Sequence, residues 1–144
     1  MITTTTMTDE QRKSVALEYL KRLDHGGDIF ELFAEDAQLY FPKCPLAYGI
    51  EEIKETFKNV GGILSAITHD YAYLNFVHSA DTVVVEGTSS GTTADGTPWR
   101  AGVNHGGRWC DVFEIRDGKI QRLFIYLDPD YAGADTARYP WLRG

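Results

Sequence analysis

Two spacings of apolar residues divide the chain. Up to about residue 60 the apolar positions recur mostly at helical intervals. Val15, Ala16, Tyr19, Leu20 and Leu23 form one stripe on a helix of about four turns. Thr8 is a favourable N-cap, Gln11 completes a capping box, and Asp9 and Glu10 suit the positive end of the helix dipole. Gly26-Gly27 ends this helix. Asp28 opens a second, short helix carrying Ile29, Phe30, Leu32 and Phe33. Asp36 to Phe41 alternates as a strand, with Ala37, Leu39 and Phe41 on one face. Pro42 and Pro45 force a loop, and a third helix runs from about Ile50 to Val60 with the stripe Ile53, Phe57, Val60. Gly61-Gly62 stops it.

From Thr68 onward the period is two. His69 to His78, Thr82 to Thr93 and Trp99 to Ile115 read as strands, the last unusually long. Gly102, Gly106 and Gly107 inside it mark a bulge or bend. Asp117-Gly118 is a strong hairpin signal, because both central residues of a type I′ turn need positive φ. Before that turn, Trp109, Asp111, Phe113 and Ile115 share one face. After it, Leu123, Ile125 and Leu127 share another. Asp111 is the odd member, a carboxylate between Trp109 and Phe113 on an apolar face. Burying it requires a partner or a retained proton.

Three N-terminal helices followed by a long bent antiparallel sheet predict an α+β fold. The sheet is expected to wrap the helices as a cone with an internal pocket. Leu39, Phe41, Phe57, Trp109, Phe113 and Ile125 are expected on the concave side. Val112, Phe124 and Tyr126 fall on the face the helices leave uncovered, which predicts a homodimer through that face. The C-terminal stretch with Tyr131, Tyr139, Pro140 and Trp141 is too aromatic for a free linker and is expected to fold back.

Composition narrows the partners. The 144 residues suit one domain, read as a tail over residues 1–7 followed by a single domain over residues 8–144. A net charge of −7 argues against non-specific nucleic-acid binding and against an anionic membrane surface. No stretch approaches the length of a membrane span, and the N-terminus lacks the basic and apolar regions of a secretory signal. Cys44 and Cys110 are too few for a disulfide framework. A reduced, cytoplasmic protein is the expectation. Aromatic residues make up 12% of the chain, which fits an apolar, aromatic-lined interior, and the partner expected for such a pocket is an apolar small molecule. No histidine pair has metal-ligating spacing, and no phosphate loop, nucleophile elbow or dinucleotide motif is present, so no metal or other cofactor is expected.

Several segments carry a resemblance: Tyr19 through Asp24 with Gly27-Asp28-Ile29, Ala34-Glu35-Asp36-Ala37, Gly49 with Glu51 and Ile53, and Asp111-Val112 with Asp117-Gly118-Lys119-Ile120-Gln121. Together they make the chain similar to the nuclear-transport-factor-2-like superfamily, in particular its SnoaL-like polyketide cyclases and ketosteroid isomerases. The resemblance implies one SnoaL-like domain and a cone-shaped fold. It places the isomerase oxyanion-hole tyrosine on Tyr19 and the protonated oxyanion-hole aspartate on Asp111. The general-base position falls on Phe41, which cannot take a proton. The two tyrosines that support the oxyanion-hole tyrosine fall on Phe33 and Phe57.

Asp111 therefore reads as an acid/base at the bottom of a pocket, against a structural carboxylate bonded to a backbone amide or to Arg108. Tyr19 reads as a polar anchor, or equally as a core tyrosine with its hydroxyl at a rim. His105 and His69 are the remaining acid–base candidates, His105 also a ligand-binding one, and each is more readily a partly exposed strand residue. The function expected is cofactor-free proton transfer at a carbonyl of an apolar ring substrate. Its alternatives are a non-catalytic binding protein using the same cup, favoured by Phe41, and an interaction domain whose cavity its own side chains fill.

Overall fold

In the computed structural model, which describes residues 6–142, Asp117 and Gly118 take φ of 54° and 74° and join two nine-residue strands. These are β7 (Arg108–Arg116) and β8 (Lys119–Leu127). The other strands are β1 (Phe33–Tyr40), β2 (Ala47–Tyr48), β3 (Leu64–His69), β4 (Asn75–Ser79), β5 (Thr82–Thr93) and β6 (Pro98–Arg100). Two helices accompany them, α1 (Asp9–His25) and α2 (Ile50–Gly61). The fold is α+β, with an open, curved, mixed sheet of eight strands. Its main path runs β2-β1-β8-β7-β5-β3, and β4 and β6 also pair with β5.

The first helix forms where its sequence signals lie. The Thr8 hydroxyl accepts from the Gln11 N–H at 3.1 Å, and the Gln11 side chain accepts from the Thr8 N–H at 2.9 Å. Gly26 closes the helix with φ of 81°. The expected second helix is instead a single 3-10 turn over Phe30–Leu32, with the Asp28 carboxylate capping the Phe30 N–H. The apolar run there is too short to propagate a helix, and Phe33 already pairs with Ile120 in the sheet. That pairing corrects a second expectation, because β1 runs parallel to β8 and the sheet is not purely antiparallel.

Two expected strands are broken in the middle. His69 to His78 divides into the end of β3, a 3-10 turn over Tyr71–Tyr73, and β4. Trp99 to Ile115 divides into β6, a loop over residues 101–107, and β7. The reason is one bend in β5. Residues 82–86 of β5 pair with β4 and residues 89–93 pair with β3 on the same edge, while β7 and β6 divide the other edge. At the bend the Gly107 carbonyl accepts from the Ser89 N–H at 2.7 Å. Gly107 itself has φ of 95°, and a Cβ there would lie 2.5 Å from both Ala101 N and Ser89 O.

The tail expected over residues 1–7 lies largely outside the described residues, although the Met7 thioether accepts from the Gly118 N–H. The C-terminal stretch does return to the body. Tyr131 is buried, with its ring 4.6 Å from that of Trp99, while Trp141 stays exposed.

Candidate functional site

The alternation of β7 places Asp111 on the concave face, opposite Val85 of β5 and Ile125 of β8. A cavity of about 590 Å³ opens above it. Its walls come from the ends of the helices (Leu23 of α1 with Gly26 and Gly27 just beyond it; Phe57, Val60 and Gly61 of α2) and from β3, β7, β8 and Tyr131. The glycines that stop both helices are what leave the sheet uncovered here.

Asp111 is 4% exposed and makes no hydrogen bond or ion pair among the described residues. The backbone-amide or Arg108 partner of the structural reading is not there. Burial alone pushes the carboxyl from 3.8 up to about 8, so at neutral pH it keeps its proton and can donate. Tyr19 also lines the cavity. Burial first, and then the charge of Asp111, hold its phenol well above the ordinary tyrosine value, so it stays neutral. Three aromatic rings fix its position: Phe113 at 5.6 Å, Phe33 at 6.2 Å and Phe57 at 6.4 Å. Tyr131 is likewise held neutral, chiefly by burial.

Of the residues expected around a ligand, Phe41, Phe57, Trp109 and Ile125 line the cavity with Asp111 and Tyr19. Leu39 and Phe113 do not. Both are fully buried beneath the helices, Phe113 on the strand that α1 packs against and Leu39 on the strand that α2 packs against, where side chains fill the concave face. His105 lies exposed on the 101–107 loop and does not reach the cavity either. The bend in β5 that ends β7 at Arg108 carries His105 away from the strand it was read into.

A second polar group lines the same cavity. His69, at the end of β3, is buried rather than partly exposed. Its Nδ1 lies 2.5 Å from Asp24 Oδ1, and its backbone N–H donates to Asp24 Oδ2 at 3.0 Å. The Tyr71 hydroxyl donates to the same oxygen at 2.7 Å. Burial by itself pushes the Asp24 carboxyl up, but the bonds from His69 and Tyr71 outweigh it and leave the group below its ordinary value. The His69 ring stands edge-on to the Trp109 indole at 5.1 Å, and the buried indole N–H of Trp109 has no partner among the described residues. The sequence singles out His69 as an acid–base candidate but not its pairing with Asp24. The available signal was that Asp24 continues the buried positions Ala16 and Leu20 at steps of four, at the helix end where a carboxylate is unfavourable.

No group of residues suited to a metal ion occurs among the described residues, and no helix there is long and apolar enough to cross a membrane.

The sequence matches the family described as the SnoaL-like domain over residues 19–123. No curated protein matches it. Among solved structures, an NTF2-like protein from Anabaena variabilis is 23% identical, with a TM-score of 0.68 over 88% of this chain and 96% of that one. A Bacillus subtilis protein provisionally called an isomerase is 23% identical, with a TM-score of 0.70 over 92% and 98%. A Xanthomonas campestris protein provisionally called a polyketide cyclase is 14% identical, with a TM-score of 0.69 over 83% and 91%. These likenesses establish a shared NTF2-like cone.

Proposed function

The chain belongs to the SnoaL-like domain family, and from that premise we propose that it binds an apolar, ring-bearing carbonyl compound and moves a proton beside the carbonyl by acid–base chemistry. The observation that carries this reading is Asp111, a buried, unpartnered carboxyl that keeps its proton at neutral pH and faces an apolar cavity. Such a group donates a hydrogen bond to a carbonyl oxygen. When the neighbouring C–H bond is broken, charge grows on that oxygen and the bond strengthens. A single donor of this kind lowers a barrier by about 3–4 kcal/mol. Tyr19, neutral and held by three rings, supplies a second polar contact. The isomerase and polyketide-cyclase names given to proteins of the same fold agree with this chemistry.

Phe41 favours a second reading. It lines the cavity at the position where the resemblance expects the proton-abstracting carboxylate, as suits a cup that only binds. Exchange of the α-hydrogens of 2-tetralone in D2O, followed by NMR, separates the two. The expected result is exchange above the buffer rate that falls roughly 10²–10³-fold in Asp111→Asn. Binding of 2-naphthol, an enol mimic, should stay within about tenfold in that variant. A wild-type protein that binds 2-naphthol and leaves 2-tetralone unexchanged is a binding protein.

A further inference from the structure

We propose that His69, oriented by Asp24, is the base that the Phe41 position does not supply. The inference rests on the proton-transfer reading above and adds the residue that reading leaves unnamed.

Three acceptor contacts commit the Asp24 carboxylate to β3 and the turn after it. It takes the His69 backbone N–H, the Tyr71 hydroxyl and the His69 ring at Nδ1. A carboxylate kept ionised beside Nδ1 places the ring proton on that nitrogen. Nε2 is then left with its lone pair, and no described residue hydrogen-bonds to it. The ring lines the cavity that holds Asp111, and the Trp109 indole packed edge-on against it limits its rotation. A purely structural staple between α1 and β3 would already be complete with the backbone N–H and Tyr71. The imidazole adds a basic nitrogen beside the cavity.

The proton ledger closes within the protein and a carbonyl compound. Nε2 takes the proton from the carbon next to the carbonyl. The electron pair of the broken C–H bond becomes the C=C bond of an enolate, whose oxygen accepts from Asp111. The imidazolium is stabilised by the Asp24 carboxylate. Return of the proton to the same carbon gives exchange, and return to a conjugated carbon gives isomerisation. Both outcomes restore His69 and Asp111 to their starting states. His69 is here a catalytic residue, and Asp24 a positioning residue that acts through it.

The test uses the full chain with 2-tetralone as substrate and 2-naphthol as binding probe. His69→Gln is expected to lower 2-tetralone exchange by about 10²–10⁴-fold, with 2-naphthol binding within about tenfold. In wild-type protein, long-range ¹H–¹⁵N spectra are expected to show neutral His69 protonated on Nδ1. Asp24→Asn should lose that tautomer preference and lower kcat with little change in KM. Should His69→Gln fail to fold, Asp24→Asn carries the test alone. A folded His69→Gln that exchanges at the wild-type rate, or a wild-type His69 protonated on Nε2, overturns the assignment. If Asp111→Asn loses exchange while His69→Gln keeps it, the base is elsewhere and the carbonyl reading stands. A wild-type protein that exchanges nothing removes both.

Discussion

Two rows of side chains on the concave face of the sheet, one row apart, behave oppositely. Val83, Phe113, Leu123 and Leu39 lie side by side across β5, β7, β8 and β1, and all four are fully buried. Two pleats along, Gly87, Trp109 and Leu127 form the corresponding row, and Trp109 and Leu127 face an open cavity. The row between them, Val85, Asp111 and Ile125, is the boundary. The strands are the same, so the difference comes from what lies above. Over the first row the helices deliver buried side chains, Ala16, Tyr19 and Leu20 from α1 and Ile53 from α2. Over the last row both helices have ended in glycine. Gly87 adds to the contrast, because a Cβ there would come within 3.0 Å of the Trp109 ring. The lesson is that a carboxyl becomes chemically useful at the edge of a packed core, dry enough to keep its proton and open enough to meet a ligand.

The largest effect expected from this contrast is on stability. Phe113→Ala should cost about 3–5 kcal/mol in denaturant unfolding, because it empties part of the sealed row. Leu127→Ala, already half open, should cost no more than about 1–2 kcal/mol. Equal costs would dissolve the distinction between the rows.

The next effect is a dependence on pH set by Asp111. Its folded-state value of about 8 lies above the 3.8 of an exposed aspartate, so between these the native state holds a proton that the unfolded state has released. Native stability should therefore fall as pH rises through that window and level off above about 8. The slope contributed is at most about 1.4 kcal/mol per pH unit. Asp111→Asn should flatten this part of the unfolding profile. An unchanged profile would mean that Asp111 is not the group holding the proton.

A smaller change is expected at the rim of the sealed row. Tyr19→Phe removes one hydroxyl while keeping the ring among its three aromatic neighbours. Binding of 2-naphthol, measured by calorimetry, should weaken by about 0.5–1.5 kcal/mol, with unfolding almost unaffected.

The smallest effect on folding is expected on the opposite side of the same strands. Val77, Val84, Val112, Phe124 and Tyr40 form a cross-strand row on the convex face, with Arg122 stacked on Phe124 and Tyr126 half exposed. If a second copy of the chain covers this face, Tyr126→Glu should shift sedimentation toward monomer while changing unfolding by less than about 0.5 kcal/mol. A wild-type monomer at micromolar concentration removes the dimer.

Much of this architecture is legible in the sequence because local signals act alone. Thr8 with Gln11, Gly26, Gly61-Gly62 and Asp117-Gly118 each set a boundary through backbone geometry. The alternation around Asp111 shows which face it occupies before any neighbour is known. What escapes depends on contacts far apart in the chain. The parallel seating of β1 on β8 overrides the local apolar run after Asp28. The bend of β5 breaks strands that look continuous in the sequence. His69 reads as an ordinary strand histidine until α1 brings Asp24 beneath it, a contact across 45 positions of sequence.

The parallel pair has a consequence for how the molecule comes into being. Leu39 lies opposite Leu123, so β1 finds this partner only after the 84 positions that separate the two residues have been made. Until then α1 has its apolar stripe but no completed sheet to bury it against, and β1 has only the two-residue β2 beside it. Loop closure over that distance is a slow, entropy-limited step. A nascent chain halted before β8 would present an unpaired strand edge and an uncovered helix face together, the state in which aggregation competes with folding. The same late strand carries Ile125 and Leu127 to the cavity wall, so the pocket closes only once β8 is in place.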